Sequence, residues 1–216
     1  MKNRDYKQFA AGEYYHIYNR GNGKMDIFKN EQDYLNFLKR LRFVLGVAAP
    51  TRTAFVKQGQ SLSFRRVLPL SPGAFTLVSY CLMPNHFHFL LRQNAEISVT
   101  KLLQKTCTSY SIFFNKKYSQ VGHLFQSRFK AVHIDNDSHL LWLSAYIHNN
   151  PVVSGVVEKL EDYPWSSYLD YIGKRQGTLI GTTIVMEQFS SPEEYAKFVN
   201  QSFGEIRRRK DLEAFL

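Results

Sequence analysis

The feature that most constrains the fold is a pair of apolar runs set almost end to end, Phe75 to Met83 (FTLVSYCLM) and His86 to Arg92 (HFHFLLR), with only Pro84 and Asn85 between them. Both are rich in residues that favour strands, and Pro-Asn is a turn signal, so the two runs are expected to pair antiparallel. Side chains at i and i+2 of a strand share a face. His86 and His88 therefore point one way, while Phe87, Phe89 and Leu91 point the other and can bury against helices. In this reading the histidine face is the open one.

Helices and further strands flank that pair. Glu13 to Asn19 (EYYHIYN) reads as a strand that stops at the Gly-rich Arg20-Gly21-Asn22-Gly23. From Asn30, a candidate N-cap, Tyr34, Leu38, Leu41 and Leu45 fall at offsets 0, 4, 7 and 11 and mark one face of a helix. Residues Thr51 to Ser71 carry Arg52, Lys57, Arg65 and Arg66 with weak periodicity, which fits either a basic hairpin or a solvated loop. Ile97 to Tyr118 reads as a mostly buried helix and Ala131 to Ile134 as a short strand. A helix then begins near His139, and Pro151 is expected to end it after about three turns. A last helix starts at Ser191 and leads to Arg207-Arg208-Arg209-Lys210. This order suits an α+β sandwich with helices on one face of an antiparallel sheet. The domain division expected is 1–155 for the main unit and 156–216 for a mostly helical C-terminal extension.

Charge narrows the partners. With 28 Lys and Arg against 18 Asp and Glu, the net charge is +10, so a polyanion is the natural partner, nucleic acid before membrane headgroups. No run approaches the length of a spanning helix, and Met1 to Asp5 has no apolar stretch behind it, so a cytoplasmic protein without membrane contact is expected. Cys81 and Cys107 lack CxxC spacing and read as two buried free thiols. Gly21-Asn22-Gly23-Lys24 lacks P-loop spacing, so no nucleotide cofactor is expected.

Two imidazoles on one strand face can hold a divalent ion, although an HxH pair also describes surface or satisfied core histidines. On the helix from His139, the residues His139, Trp142, Tyr146 and Asn150 lie at offsets 0, 3, 7 and 11, along one stripe. A tyrosine hydroxyl can attack phosphorus once a metal polarises the phosphate, and an amide oxygen one turn away can join the metal shell. Tyr146 is more simply read, from the residues alone, as an interfacial core aromatic, and Asn150 as a C-cap before Pro151. Tyr110 is the competing nucleophile. It stands 110 − 88 = 22 residues beyond His88 in an aromatic run that looks like core, against 146 − 88 = 58 for Tyr146.

Five motifs taken together resemble one family: YYHIYNRGN at 14–22, YCLMPNHFH at 80–88, GHLFQSRFK at 122–130, YIHNNP at 146–151 and DYPWSSY at 162–168. Their order and content resemble the REP-associated tyrosine transposases, single-tyrosine HUH (IS200-like) enzymes. The resemblance implies a ferredoxin-like antiparallel sheet with helices packed on it. It also implies Mg²⁺ or Mn²⁺ held by His86 and His88, and Tyr146 as the nucleophile that forms a 5′-phosphotyrosine. Asn150 falls where related enzymes place a glutamine ligand, and it departs from them by one methylene and by preceding a proline. The substrate implied is single-stranded DNA beside a hairpin. Asn19, Arg20, Arg128 and Lys130 are candidate DNA contacts, and a monomer or homodimer is expected. Two rival readings keep the fold: a nucleic-acid binder without cleavage, and a metal-dependent phosphodiesterase in which water attacks.

Overall fold

The two apolar runs do pair. In the computed structural model, which describes residues 8–47 and 68–214 with side chains as far as Arg209, the chain runs β1 (Tyr14–Arg20), α1 (Glu31–Val44), β2 (Phe75–Met83), β3 (His86–Gln93), α2 (Val99–Tyr118), β4 (Lys130–Ile134) and α3 (Asp137–Val153). Two short helices, α4 (Tyr168–Tyr171) and α5 (Thr183–Met186), and the long α6 (Pro192–Ala214) follow. The sheet order is β2-β3-β1-β4 with every neighbouring pair antiparallel, the ferredoxin-like arrangement of a β-α-β-β-α-β unit. The basic stretch from Thr51 lies, up to residue 67, outside the described residues. No helix among the described residues is long and apolar enough to cross a membrane.

Helices cover both faces of the sheet, which corrects the one-faced sandwich read from the sequence. On one side Tyr15, Ile17, Phe87, Phe89 and Leu91 pack with Phe37 of α1 and Tyr110 and Phe114 of α2. On the other side Val78, Cys81, Met83 and Leu90 pack with Leu140, Leu143 and Ile147 of α3 and with Tyr171, Tyr195 and Val199. The reason lies in the strands themselves. Along β2 nearly every residue is buried, because a run without polar alternation has two apolar faces to hide. A bulge near Val78, where the pairing jumps from Leu77↔Leu91 to Ser79↔Leu90, turns Val78 toward the second core.

The described part of 156–216 closes this second face and one sheet edge. Leu82 N–H donates to the Trp165 carbonyl at 2.9 Å, Ser167 N–H donates to the Tyr80 carbonyl at 2.9 Å, and the Tyr163 hydroxyl donates to the Leu82 carbonyl at 2.5 Å. The DYPWSSY motif thus pairs with the outer edge of β2, which would otherwise expose unpaired backbone. At the turn just before β3, Gly21 N–H donates to the Asn85 carbonyl at 2.8 Å, and a Cβ at residue 21 would stand 2.2 Å from the Met25 carbonyl oxygen. Only glycine fits that approach.

Helix α3 is longer than the sequence led us to expect. Its N-cap is Asn136, whose side chain accepts from His139 N–H at 2.8 Å, and its 17 residues run through Pro151 to Val153. That is roughly five turns rather than three. A proline sacrifices one N–H and crowds the carbonyl four residues back. The cost is borne because Pro151 is itself buried and sits in the last turn, where Ser154 N–H still reaches the Asn150 carbonyl at 3.0 Å. Cys81 is buried, Cys107 is half-buried rather than buried, and both are free thiols.

One residue ties α3 to the extension. His148 is fully buried, with Nδ1 2.7 Å from the Tyr195 hydroxyl of α6 and Nε2 2.7 Å from Ser167 Oγ. Ser167 Oγ in turn accepts from Tyr80 N–H of β2 at 2.9 Å. Burial, assisted by the nearby Arg175 charge, pushes the His148 pKa down to about 3. The unfolded chain, with an ordinary value of 6.5, therefore binds a proton that the folded chain refuses between those two values. Stability contributed by neutral His148 is complete above 6.5 and is lost as the pH falls toward 3. We expect the urea midpoint to drop on acidification from pH 7 to pH 5, with His148 adding up to about 1.4 kcal/mol per pH unit. His148→Gln should flatten that slope, and an unchanged slope would show that His148 does not carry it.

Candidate active site

The register of the two central strands builds the site. Residues directly opposite in an antiparallel pair share a face, and β1 pairs with β3 as Tyr18↔His88 and Arg20↔His86. On the other side of β1, Tyr18 faces Lys130 of β4. His86, His88, His16, Tyr18, Arg20 and Lys130 therefore lie on the same face of the sheet, the one α3 crosses. Phe87 and Phe89 pin β3 from the far side by packing against Phe37. His88 is only 6% exposed and His86 partly buried, so the face read as open is roofed.

The roof is the stripe of α3. The Tyr146 ring lies 5.6 Å from that of His88 and 6.0 Å from that of His16, edge-on to both, and Trp142 stacks on Tyr146 at 5.3 Å. The His86 and His88 rings are 5.0 Å apart. His86 Nδ1 lies 2.6 Å from the Asn85 side-chain oxygen, and His88 Nδ1 lies 2.8 Å from His16 Nε2. Asn150 is buried, and its amide nitrogen donates to the Tyr146 carbonyl at 2.8 Å. The structure thus brings His86, His88 and Tyr146 together from elements 58 residues apart in the chain.

Tyr110 stands elsewhere. It is fully buried in the other core, its hydroxyl donates to the Ile27 carbonyl, and burial drives its pKa far above the ordinary phenol value. A nucleophile needs access to phosphorus and a route to its anion, and Tyr110 has neither.

The DNA-contact candidates divide. Arg20 and Arg128 are exposed, and Lys130 is partly buried on the face that carries the histidines. Asn19 is 7% exposed, and its side chain accepts from Arg20 N–H at 2.9 Å and donates to the Ser127 carbonyl at 3.2 Å. Its amide braces the end of β1 against the GHLFQSRFK stretch. His133 lies 2.6 Å from Glu13 Oε2, turned away from the site, and His123 is exposed.

The sequence reading missed His16, Tyr18 and Asn85 as site residues. The alternation Tyr14, His16, Tyr18, Arg20 places the β1 residues on one strand face, but which partner they meet depends on register. Burial, with repulsion from the nearby His139, holds His16 well below the ordinary imidazole range, so it stays neutral.

The donor chemistry of this cluster fits a divalent ion. Each of the two histidines has Nδ1 held by a neighbour, a common feature of metal-binding imidazoles. Among the described residues no group of three or more His, Cys, Asp or Glu is gathered for a metal. An ion here would rest on His86, His88 and non-acidic ligands, which leaves coordination positions for a phosphate.

Comparison with known proteins finds likenesses in sequence and in fold. Residues 71–150, which span β2, β3, α2, β4 and most of α3, match the family described as "Transposase IS200 like". The match covers 80 of the 216 residues and is a likeness of that segment. A protein of Haemophilus influenzae named "Putative REP-associated tyrosine transposase" is 34% identical over 109 residues, covering 44% of this chain and 59% of that protein. The chain thus spans about three-fifths of the length of this curated relative. A solved structure of a REP-associated tyrosine transposase bound to a REP hairpin superposes with a TM-score of 0.52, covering 88% of this chain and 96% of that one. At 15% identity the superposition speaks for the shared fold.

His86→Ala together with His88→Ala should abolish Mn²⁺ binding in calorimetry while the far-UV spectrum stays native, because both rings lie opposite the Phe87–Phe89 face. Undiminished affinity in the double variant would place any metal elsewhere.

Proposed function

We propose that this protein is a metal-dependent transposase that cleaves and rejoins single-stranded DNA beside a hairpin, with Tyr146 as nucleophile. The observation that carries the reading is the convergence of Tyr146 on the His86–His88 pair, ring to ring at 5.6 Å. The IS200-like segment, the likeness to a REP-associated tyrosine transposase and the +10 charge support it.

In this mechanism His86 and His88 would hold Mg²⁺ or Mn²⁺, and the Asn150 side-chain oxygen would serve as third protein ligand. The bound ion would draw charge from the non-bridging oxygens of the scissile phosphate. Tyr146 attacks phosphorus in line, losing its hydroxyl proton to solvent, and the O3′–P bond breaks. The products are a 5′-phosphotyrosine and a free 3′-OH. A second 3′-OH reverses the attack and joins strands, so no nucleotide cofactor is needed. Arg20, Lys130 and Arg128 hold backbone phosphates around the histidine face, and Trp142 keeps the Tyr146 ring oriented. The chain acts as a monomer or homodimer.

Tyr146→Phe should bind hairpin DNA and form no covalent adduct on denaturing gels with Mn²⁺, with little change in stability because the Trp142 stack survives. Tyr110→Phe should form the adduct normally. An adduct from Tyr146→Phe would remove Tyr146 from the chemistry, and cleavage at wild-type rate without any adduct would make water the attacker.

Binding to single-stranded hairpin DNA should weaken steeply with salt, since each neutralised phosphate adds roughly 0.7 to 0.9 to the slope of log K against log salt. Arg20→Ala should reduce the slope by about one unit across unrelated sequences. A slope unchanged in Arg20→Ala would take Arg20 out of the phosphate contacts.

A further inference from the structure

An imidazole ligates a divalent ion only through a ring nitrogen that carries no proton, and the partner of the other nitrogen decides which one that is. For His86 the partner is plain. Its Nδ1 lies 2.6 Å from the Asn85 side-chain oxygen, an atom that only accepts, so Nδ1 carries the proton and Nε2 the lone pair.

For His88 the partner is another histidine. His16 sits two residues along β1 from Tyr18, the residue directly opposite His88, its ring nearly parallel to that of His88 at 22° and 5.1 Å, with Nε2 2.8 Å from His88 Nδ1. One proton lies in that contact, and it has two possible owners. If His16 donates, the neutral His88 ring keeps its own proton on Nε2, across the ring from His16, and cannot ligate there. If His88 donates, its Nε2 carries the lone pair, the same donor atom His86 presents.

We propose that His16 accepts a hydrogen bond from His88 Nδ1–H and is the positioning residue that sets His88 as an Nε2 metal ligand. The proposal rests on the metal-site reading above. His16 is suited to the task because it belongs to the central strand β1, paired on both sides, so its ring is held by backbone ladders rather than by a loop. It contacts the ligand's ring and not the reacting atoms. Its effect should therefore appear in ligand tautomer and metal affinity.

The test begins on the metal-free full chain, by nitrogen-15 spectra of its histidines. Wild-type His88 should show a protonated Nδ1 and a bare Nε2; a protonated Nε2 overturns the proposal without any variant. Calorimetry with Mn²⁺ then compares His16→Phe, which keeps a ring but no acceptor, with His16→Gln, whose side-chain oxygen can accept the same bond. The dissociation constant should rise about 10- to 100-fold in His16→Phe and stay near wild type in His16→Gln. Wild-type affinity in His16→Phe, or an equal loss in both variants, overturns the role of His16 alone. A wild-type chain that shows the expected tautomer yet takes up no Mn²⁺ overturns the metal site, and this role with it.

Discussion

The antiparallel pairing of β1 with β3 in the middle of the sheet is the contact on which the rest depends. Its register sets Tyr18 opposite His88 and Arg20 opposite His86, and it brings His16 within hydrogen-bonding distance of His88. A slip of one residue would turn His16, Tyr18 and Arg20 to the phenylalanine face and Tyr15 and Ile17 away from their core. The register is locked from both ends. Tyr15, Ile17, Phe87 and Phe89 share one core, and at the turn Gly21 closes on the Asn85 carbonyl where no side chain would fit.

Above that floor, the position of Tyr146 depends on what holds α3. The helix carries Leu140, Leu143 and Ile147 into the second core, and two residues past the tyrosine it buries His148 between Tyr195 and Ser167. A buried imidazole with both nitrogens bonded fixes a helix in rotation and along its axis more closely than apolar packing alone. The C-terminal extension thus reaches the proposed chemistry through the back of α3. Arg209 adds a second tie on the front, its guanidinium 4.9 Å above the Trp142 ring that stacks on Tyr146.

Much of this was legible in the residues. The paired strands, the Asn30 start of α1, and the polarity of the HFHF alternation follow from period-two and period-3.6 patterning, which acts over a few residues and so is written locally. Of the stripe His139, Trp142, Tyr146 and Asn150, the Trp142–Tyr146 stack is present as helical spacing, equally local, leads one to expect. Two readings failed for related reasons. Pro151 was expected to end α3, and the burial of the proline itself outweighs the lost hydrogen bond. The histidine face was expected to be open, although the unbroken apolar character of FTLVSYCLM already signalled a strand with two faces to cover.

The sequence by itself determined the elements, the side of each strand on which a residue stands, and the set of chemically able groups: two histidines at i and i+2, a tyrosine and an asparagine at i and i+4, and a surplus of cations. Only the tertiary structure decided which of these meet. It put Tyr146 over His88 and left Tyr110 in the opposite core, gave His88 a histidine partner from another strand, and spent the Asn19 amide on bracing the chain. The physical reason is that periodicity fixes a side chain's direction relative to its own backbone, whereas partners across a sheet or under a helix are fixed by register and packing. Those are summed over residues far apart in the chain, and no local pattern records the sum.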